Sequence, residues 1–215
     1  MMAVEIECIQ GSAAWVKARL GVVTASALSR VVTPGKYALS KQREGYLCEL
    51  LAEWALGVRE ESFLGTHWTE RGLAYEQEAL DAIALVLETE PPRPMGFVYR
   101  DESRAIGCSP DALIGEDGGL ELKCPMAKTH LEYLFSGGVP SDYWMQVQGS
   151  LWITGRQWWV FESYHPALPP HIARVQPDPH LHAALDEHVP AFVAELEARK
   201  QALIERGFRP MEVTA

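Results

Sequence analysis

The sequence predicts an α/β domain with a central mixed β-sheet flanked by helices. Stretches with the 3.6-residue apolar period of helices lie before and after the middle of the chain, while short apolar runs between Gly, Pro and Asp turns fill the middle. No internal repeat, low-complexity tract or Gly/Ser linker divides the chain, so residues 1–215 read as one domain. With 215 residues, 47% of them hydrophobic and seven of them Trp, the chain can bury one sizeable core.

The helices come first. Ser12 reads as the N-cap of a short helix carrying Trp15, Val16 and Leu20, which Gly21 ends. Thr24 opens TASALSRVV, which Pro34 and Gly35 stop. From Ser40 the segment KQREGYLCELLAEWAL places Tyr46, Leu47, Leu50, Leu51, Trp54 and Ala55 on one face and ends at Gly57. A longer helix spans about Thr66 to Thr89, with Leu73, Leu80, Ile83, Ala84 and Leu87 at helical spacing, before PPRP.

In the middle, MGFVYR, SPDALIG and GLELKCP read as adjacent antiparallel strands. Helices follow around Ala127–Phe135 and from Ser141 to Ile153, then strands in QWWVFESYH and HIARVQ. The tail from His180 to Arg206 is amphipathic and helical, with Pro190 breaking it or starting its second half.

Composition narrows the function classes. No apolar stretch is long enough to span a bilayer, and MMAVEIECIQ lacks the basic-then-apolar pattern of a secretory signal, which predicts a cytoplasmic protein with no membrane partner. Cys8, Cys48, Cys108 and Cys124 form no C-x-x-C pair and have no His at zinc-finger spacing, so they read as buried free thiols. A net charge of -10 argues against a simple basic nucleic-acid binder. A metal site that concentrates carboxylates remains compatible with it, provided the basic residues gather in one channel.

The stretch that carries chemistry is Ser109-Pro110-Asp111, followed by Glu121-Leu122-Lys123. Asp111 begins one strand, Glu121 lies on the next, and GEDGG is the turn between them, so a hairpin brings the two carboxylates together. Glu121 and Lys123 are two residues apart and point to one face. Two hard oxygen ligands with an ammonium beside them suit phosphodiester hydrolysis: the carboxylates hold Mg²⁺ or Mn²⁺, and the lysine orients water and stabilises the phosphoryl oxygens. The main-chain carbonyl of Leu122 is a further candidate metal ligand. A solvated strand face has the same spacing, so the pattern alone leaves both readings open.

SPDALIGEDGGLELKCP resembles the PD-(D/E)xK motif in the form found in the phage lambda exonuclease family of viral recombination systems. WVKARLGVVTAS, AYEQEA, YRDES and YWMQVQGSLWITG resemble further landmarks of that family in the same order, together covering most of residues 12–165. The resemblance implies a restriction-endonuclease-like core. It also implies that Glu76 joins the metal site with Asp111 and Glu121, and that Arg19, Ser26, Ser109 and Gln146 (rather than Gln148) form a pocket for a DNA 5′-phosphate. Asp101 in YRDES matches a family position and reads as a structural turn residue, and Trp152, Trp158 and Trp159 read as core or subunit contacts. THWTERGLAY departs from the family's strand-splitting residues, leaving His67, Trp68 and Thr69 as candidates by position alone.

The activity so implied is Mg²⁺-dependent 5′-to-3′ digestion of one strand of linear double-stranded DNA to 5′-mononucleotides, leaving a 3′ overhang for recombination. Two Mg²⁺ ions per active site are expected, with Mn²⁺ able to substitute. The resemblance further implies a ring-shaped homotrimer, a single-strand annealing protein as partner, and the cytoplasm of a bacterial host. Two other readings remain at this point: a PD-(D/E)xK endonuclease of restriction or CRISPR-associated type, and a non-catalytic DNA-end-binding module.

Overall fold

The computed structural model describes residues 2–58 and 67–211, with the backbone alone over 67–74. Its elements in chain order are β1 (Val4–Ile6), α1 (Ala13–Arg19), β2 (Val23–Thr24), a 3₁₀ segment (Ala25–Arg30), α2 (Arg43–Leu56), α3 (His67–Leu87), β3 (Arg93–Pro94) and β4 (Phe97–Tyr99). After these come β5 (Ile106–Cys108), β6 (Ala112–Ile114), β7 (Gly118–Lys123), α4 (Ala127–Ser136), α5 (Ser141–Thr154), β8 (Trp158–Ser163), β9 (His171–Val175) and α6 (Pro179–Glu205).

Two mixed sheets replace the single one expected. One has the order β1-β4-β5-β2, the other β3-β6-β7-β8-β9. The MGFVYR strand, β4, pairs with β1 and β5 and not with the SPDALIG strand. β6 and β7 are antiparallel as expected, with Ala112 opposite Leu120. β7 then runs parallel to β8, with Glu121 opposite Phe161 and Lys123 opposite Ser163. β7 is therefore a central strand, and every residue from Gly118 to Leu122 is buried.

Alternation along β7 divides its two faces. Leu120 and Leu122 join Ala112, Ile114 and Val160 against Ala79, Leu80 and Ile83 of α3. The other face turns toward α5, where Trp159 and Phe161 enter a core with Met145, Val147 and Leu151. Leu181, Leu185, Val189, Phe192 and Leu196 of α6 complete that core.

Gly118, read as part of the turn, is a strand residue instead, like the neighbouring Gly119. A Cβ on Gly118 would lie 2.2 Å from the ring of Trp158, and one on Gly119 2.2 Å from the ring of Trp159. The glycines make room for two indoles on the adjoining parallel strand.

Several helix ends follow their caps. Ser12 accepts from the N–H of Trp15 at 3.3 Å, and Gly57 and Gly155 close α2 and α5 in the left-handed conformation. TASALSRVV instead begins as a strand and continues as 3₁₀ turns. α6 runs unbroken through Pro190. Pro190 is exposed, and the buried residues on both sides of it dock on one core, which outweighs the roughly 3 kcal/mol that an interior proline costs. All four cysteines are free, but only Cys108 is buried as expected; Cys8 and Cys124 are half-buried and Cys48 is exposed. No helix among the described residues is long and apolar enough to cross a membrane.

Candidate active site

Asp111, Glu121 and Lys123 converge at the edge of the β6–β7 ladder. The main-chain N–H of Asp111 donates to the carbonyl of Leu120 at 3.2 Å, and Asp111 Oδ2 accepts from the N–H of Leu122 at 2.6 Å. That pair of bonds fixes the carboxylate across the strand that carries the other two residues. Lys123 Nζ donates to Glu121 Oε1 at 2.5 Å and to the Leu122 carbonyl at 3.0 Å, and lies 3.8 Å from Asp111 Oδ2. One ammonium thus touches all three oxygen groups expected to bind a cation.

Burial decides between the two readings of the motif. Glu121 is only 1% exposed, so it is not part of a solvated strand face. Burial raises its carboxyl above the ordinary range; the charge of Lys123 works against this and that of Asp111 adds to it. Burial pulls the Lys123 ammonium down, yet Glu121 and Asp111 outweigh it and leave the ammonium above its usual value. Glu121 Oε2 is buried with no hydrogen-bond partner among the described residues, although Oε1 accepts from both Lys123 and Gln146. An orphaned buried carboxylate oxygen beside Asp111 and a peptide carbonyl is a hard-oxygen set that fits Mg²⁺ or Mn²⁺.

Glu76 is half-buried on α3. Its carboxyl is raised by burial and by the charge of Asp111. Among the described residues no three His, Cys, Asp or Glu side chains are gathered closely enough to hold a metal by themselves. The main-chain carbonyl therefore matters to any metal set here.

Beside the cluster is a cavity of about 200 Å³. Arg19, Ser26, Ser109 and Gln146 line it together with Asp111, Glu121 and Lys123, and Gln10, Trp15, Thr24, Ala25 and Ser150 complete its wall. α1 presents Arg19, whose Nη1 donates to Ser109 Oγ at 2.7 Å. Ser26, in the 3₁₀ segment, lies 3.3 Å from Thr24 Oγ1. Gln146 projects from α5 and donates to Glu121 Oε1 at 2.8 Å. Gln148, by contrast, is fully buried and bonded to the Gln176 carbonyl and the Asp178 N–H.

Trp15 was not anticipated as part of the site. Its indole N–H donates to Ser109 Oγ at 2.9 Å, and its ring lies 4.3 Å from the Arg19 guanidinium. In the sequence it reads only as an apolar residue of a short helix. Asp101 is a turn residue, accepting from the N–H of Ser103. Trp152 and Trp159 are buried, whereas Trp158 is partly exposed beneath the Arg174 guanidinium. The side chains of His67, Trp68 and Thr69 lie outside the described residues.

Comparison with known proteins gives the family. The YqaJ-like viral recombinase domain matches residues 14–157, a span that holds every one of these cavity-lining residues except Gln10. The chain belongs to the YqaJ-like viral recombinase family. An alkaline exonuclease from Laribacter hongkongensis, LHK-Exo, superposes with a TM-score of 0.78 at 32% identity, covering 91% of this chain and 98% of that one. The same enzyme in complex with dAMP gives a TM-score of 0.77. A phage-related exonuclease from Haemophilus somnus 129PT superposes at 0.61 over 86% of this chain and 96% of its own, and its 15% identity speaks for the fold alone. ExoD of Escherichia coli (strain K12) is 33% identical over 73 residues, which is 33% of this chain and 80% of that protein. The likeness to the lambda exonuclease family read from SPDALIGEDGGLELKCP is thereby established, as is the restriction-endonuclease-like core.

Proposed function

We propose that this protein is a divalent-cation-dependent 5′-to-3′ exonuclease that digests one strand of linear duplex DNA and leaves a 3′ single-stranded tail for recombination. It is a deoxyribonuclease of the exonuclease class, supported by its family and by the likeness to alkaline exonuclease. Direction is supported by one observation: the carboxylate–lysine cluster and the set of Arg19, Ser26, Ser109 and Gln146 open into the same cavity. A terminal phosphate held by that set lies next to the cluster that hydrolyses the adjoining ester, so each cut frees one 5′-mononucleotide and brings the next phosphate into register.

Asp111, Glu121 and the Leu122 carbonyl would hold Mg²⁺ or Mn²⁺, with Glu76 approaching from α3. The orphaned Glu121 oxygen fits that role. Such ions, two per site, would supply Lewis acidity and neutralise charge on the phosphate. Lys123, reachable from the cavity, orients the attacking water and stabilises the phosphoryl oxygens in the transition state. Arg19 and the hydroxyl of Ser109 hold the terminal phosphate through charge-assisted hydrogen bonds. The family resemblance adds a ring-shaped homotrimer around the DNA and a single-strand annealing protein that receives the tail.

Linear and covalently closed duplex incubated with the protein and Mg²⁺ test this reading. Digestion of the linear form alone is expected, and cutting of the closed circle contradicts it.

A further inference from the structure

Ser109 Oγ receives two hydrogen bonds at once, 2.9 Å from the indole N–H of Trp15 and 2.7 Å from Nη1 of Arg19. Neither donor group has any acceptor capacity, so both bonds run one way only. A serine hydroxyl has two acceptor positions and one proton. With both acceptor positions filled, Ser109 has only its proton left to offer, and it lines the cavity. The same indole lies against the Arg19 guanidinium at 4.3 Å, one helical turn along α1. One side chain therefore sets the hydrogen-bond polarity of the serine with its edge and the place of the arginine with its face.

We propose that Trp15 is a positioning residue for 5′-phosphate selection: it makes Ser109 an obligate donor and aligns Arg19 beside it. A terminal phosphate is acceptor-rich and doubly charged, and it matches a wall that can only donate. A 5′-hydroxyl end brings neither the charge nor the extra acceptor oxygens, so it gains little from the same wall. This inference rests on the reading of the cavity as a 5′-phosphate pocket.

The test is equilibrium binding of linear duplex bearing either a 5′-phosphate or a 5′-hydroxyl, measured in EDTA so that no cleavage intervenes. The proteins are the full chain and its Trp15→Phe, Ser109→Ala and doubly substituted forms. Trp15→Phe keeps an aromatic face for Arg19 and loses only the indole donor. The ratio of the two affinities is expected to fall about five- to tenfold in Trp15→Phe, as for loss of one hydrogen bond between neutral groups. Ser109→Ala should lower it at least as far, and the double variant no further than Ser109→Ala alone. Both ends are measured on the same protein, so a loss of folded fraction weakens both and leaves the ratio unchanged. A wild-type preference that survives Trp15→Phe, or losses that multiply in the double variant, overturns the role of Trp15. A wild-type protein with no preference overturns the pocket reading and this inference together.

Discussion

Gln146 on α5 donates its amide N–H to Glu121 Oε1 at 2.8 Å, tying the cavity that Arg19 lines to the carboxylate on β7. A primary amide has two N–H donors. One is committed to Glu121, which leaves the second for a ligand in the cavity that Gln146 lines.

Gln146→Leu removes both donors at once. Its kcat/KM on 5′-phosphorylated duplex is expected to fall about tenfold or more, with a higher Mg²⁺ requirement seen in a metal titration. Gln148→Leu, two residues on, breaks bonds to the Gln176 carbonyl and the Asp178 N–H instead. Its expected defect is a lower Tm with the Mg²⁺ requirement unchanged.

Lys123→Ala should reduce hydrolysis by at least about 100-fold while the protein still binds duplex ends. It has a second signature. The ammonium touches Glu121, the Leu122 carbonyl and Asp111, the same oxygens proposed to hold the cation. Without it those oxygens lack a positive charge, so Mg²⁺ should raise the Tm of Lys123→Ala more than that of the wild type. An equal or smaller rise would show that lysine and cation do not share these oxygens.

Glu162 on β8 is 0% exposed, and neither carboxylate oxygen has a hydrogen-bond partner among the described residues. Burial pushes its carboxyl up to about 8 from an ordinary value of 4.5. Below 4.5 the group is neutral in both folded and unfolded chains, and its favourable contribution is complete. As pH rises toward 8 the unfolded chain ionises first, and stability is lost progressively. Glu162→Gln removes that dependence. Its Tm advantage over the wild type should be smallest near pH 4.5 and grow toward pH 8, by on the order of 2–4 kcal/mol in stability. Thermal melts across that window check it, and a constant difference contradicts it.

Gly119→Ala places a methyl 2.2 Å from the Trp159 ring. Because the ring is fully buried, the strand must shift, and a loss of about 1–3 kcal/mol is expected in urea denaturation. Glu121 shares that strand and face, so hydrolysis should fall as well. Gly45→Ala, at an exposed position of α2 where nothing lies within 4 Å, should leave the Trp159 packing intact.

The legible parts of the fold were those with local causes. Ser12 caps α1 from its own side chain, and Tyr46, Leu47 and Leu50 face the core at helical spacing. The strands that escaped notice are two or three residues long and exist through distant partners: Val4 opposite Tyr99, and Val23 opposite Ile106. No window around Val23 contains its reason for being extended. Gly118 reads as a turn residue because its purpose, space for the ring of Trp158, lies on another strand.

The site divides in the same way. Asp111, Glu121 and Lys123 could be read from a hairpin and a two-residue period, both local. Arg19, Ser26, Ser109 and Gln146 come from four separate elements or loops, and only the family resemblance joined them before the structure placed them on one cavity. Trp15 gave no sign of its role, because a Trp on an amphipathic helix is ordinarily core. Its part in the site lies in where the indole N–H points.

In the proposed function, the hydrolytic cluster and a terminal-phosphate pocket act as one site. Linear duplex labelled at either end of each strand, with and without a 5′-phosphate, tests it in a single Mg²⁺-dependent digestion. Loss of label from 5′ ends as mononucleotides, faster at phosphorylated than at hydroxyl ends, is the predicted result. Release beginning at 3′ ends, or equal rates at phosphorylated and hydroxyl 5′ ends, would contradict it.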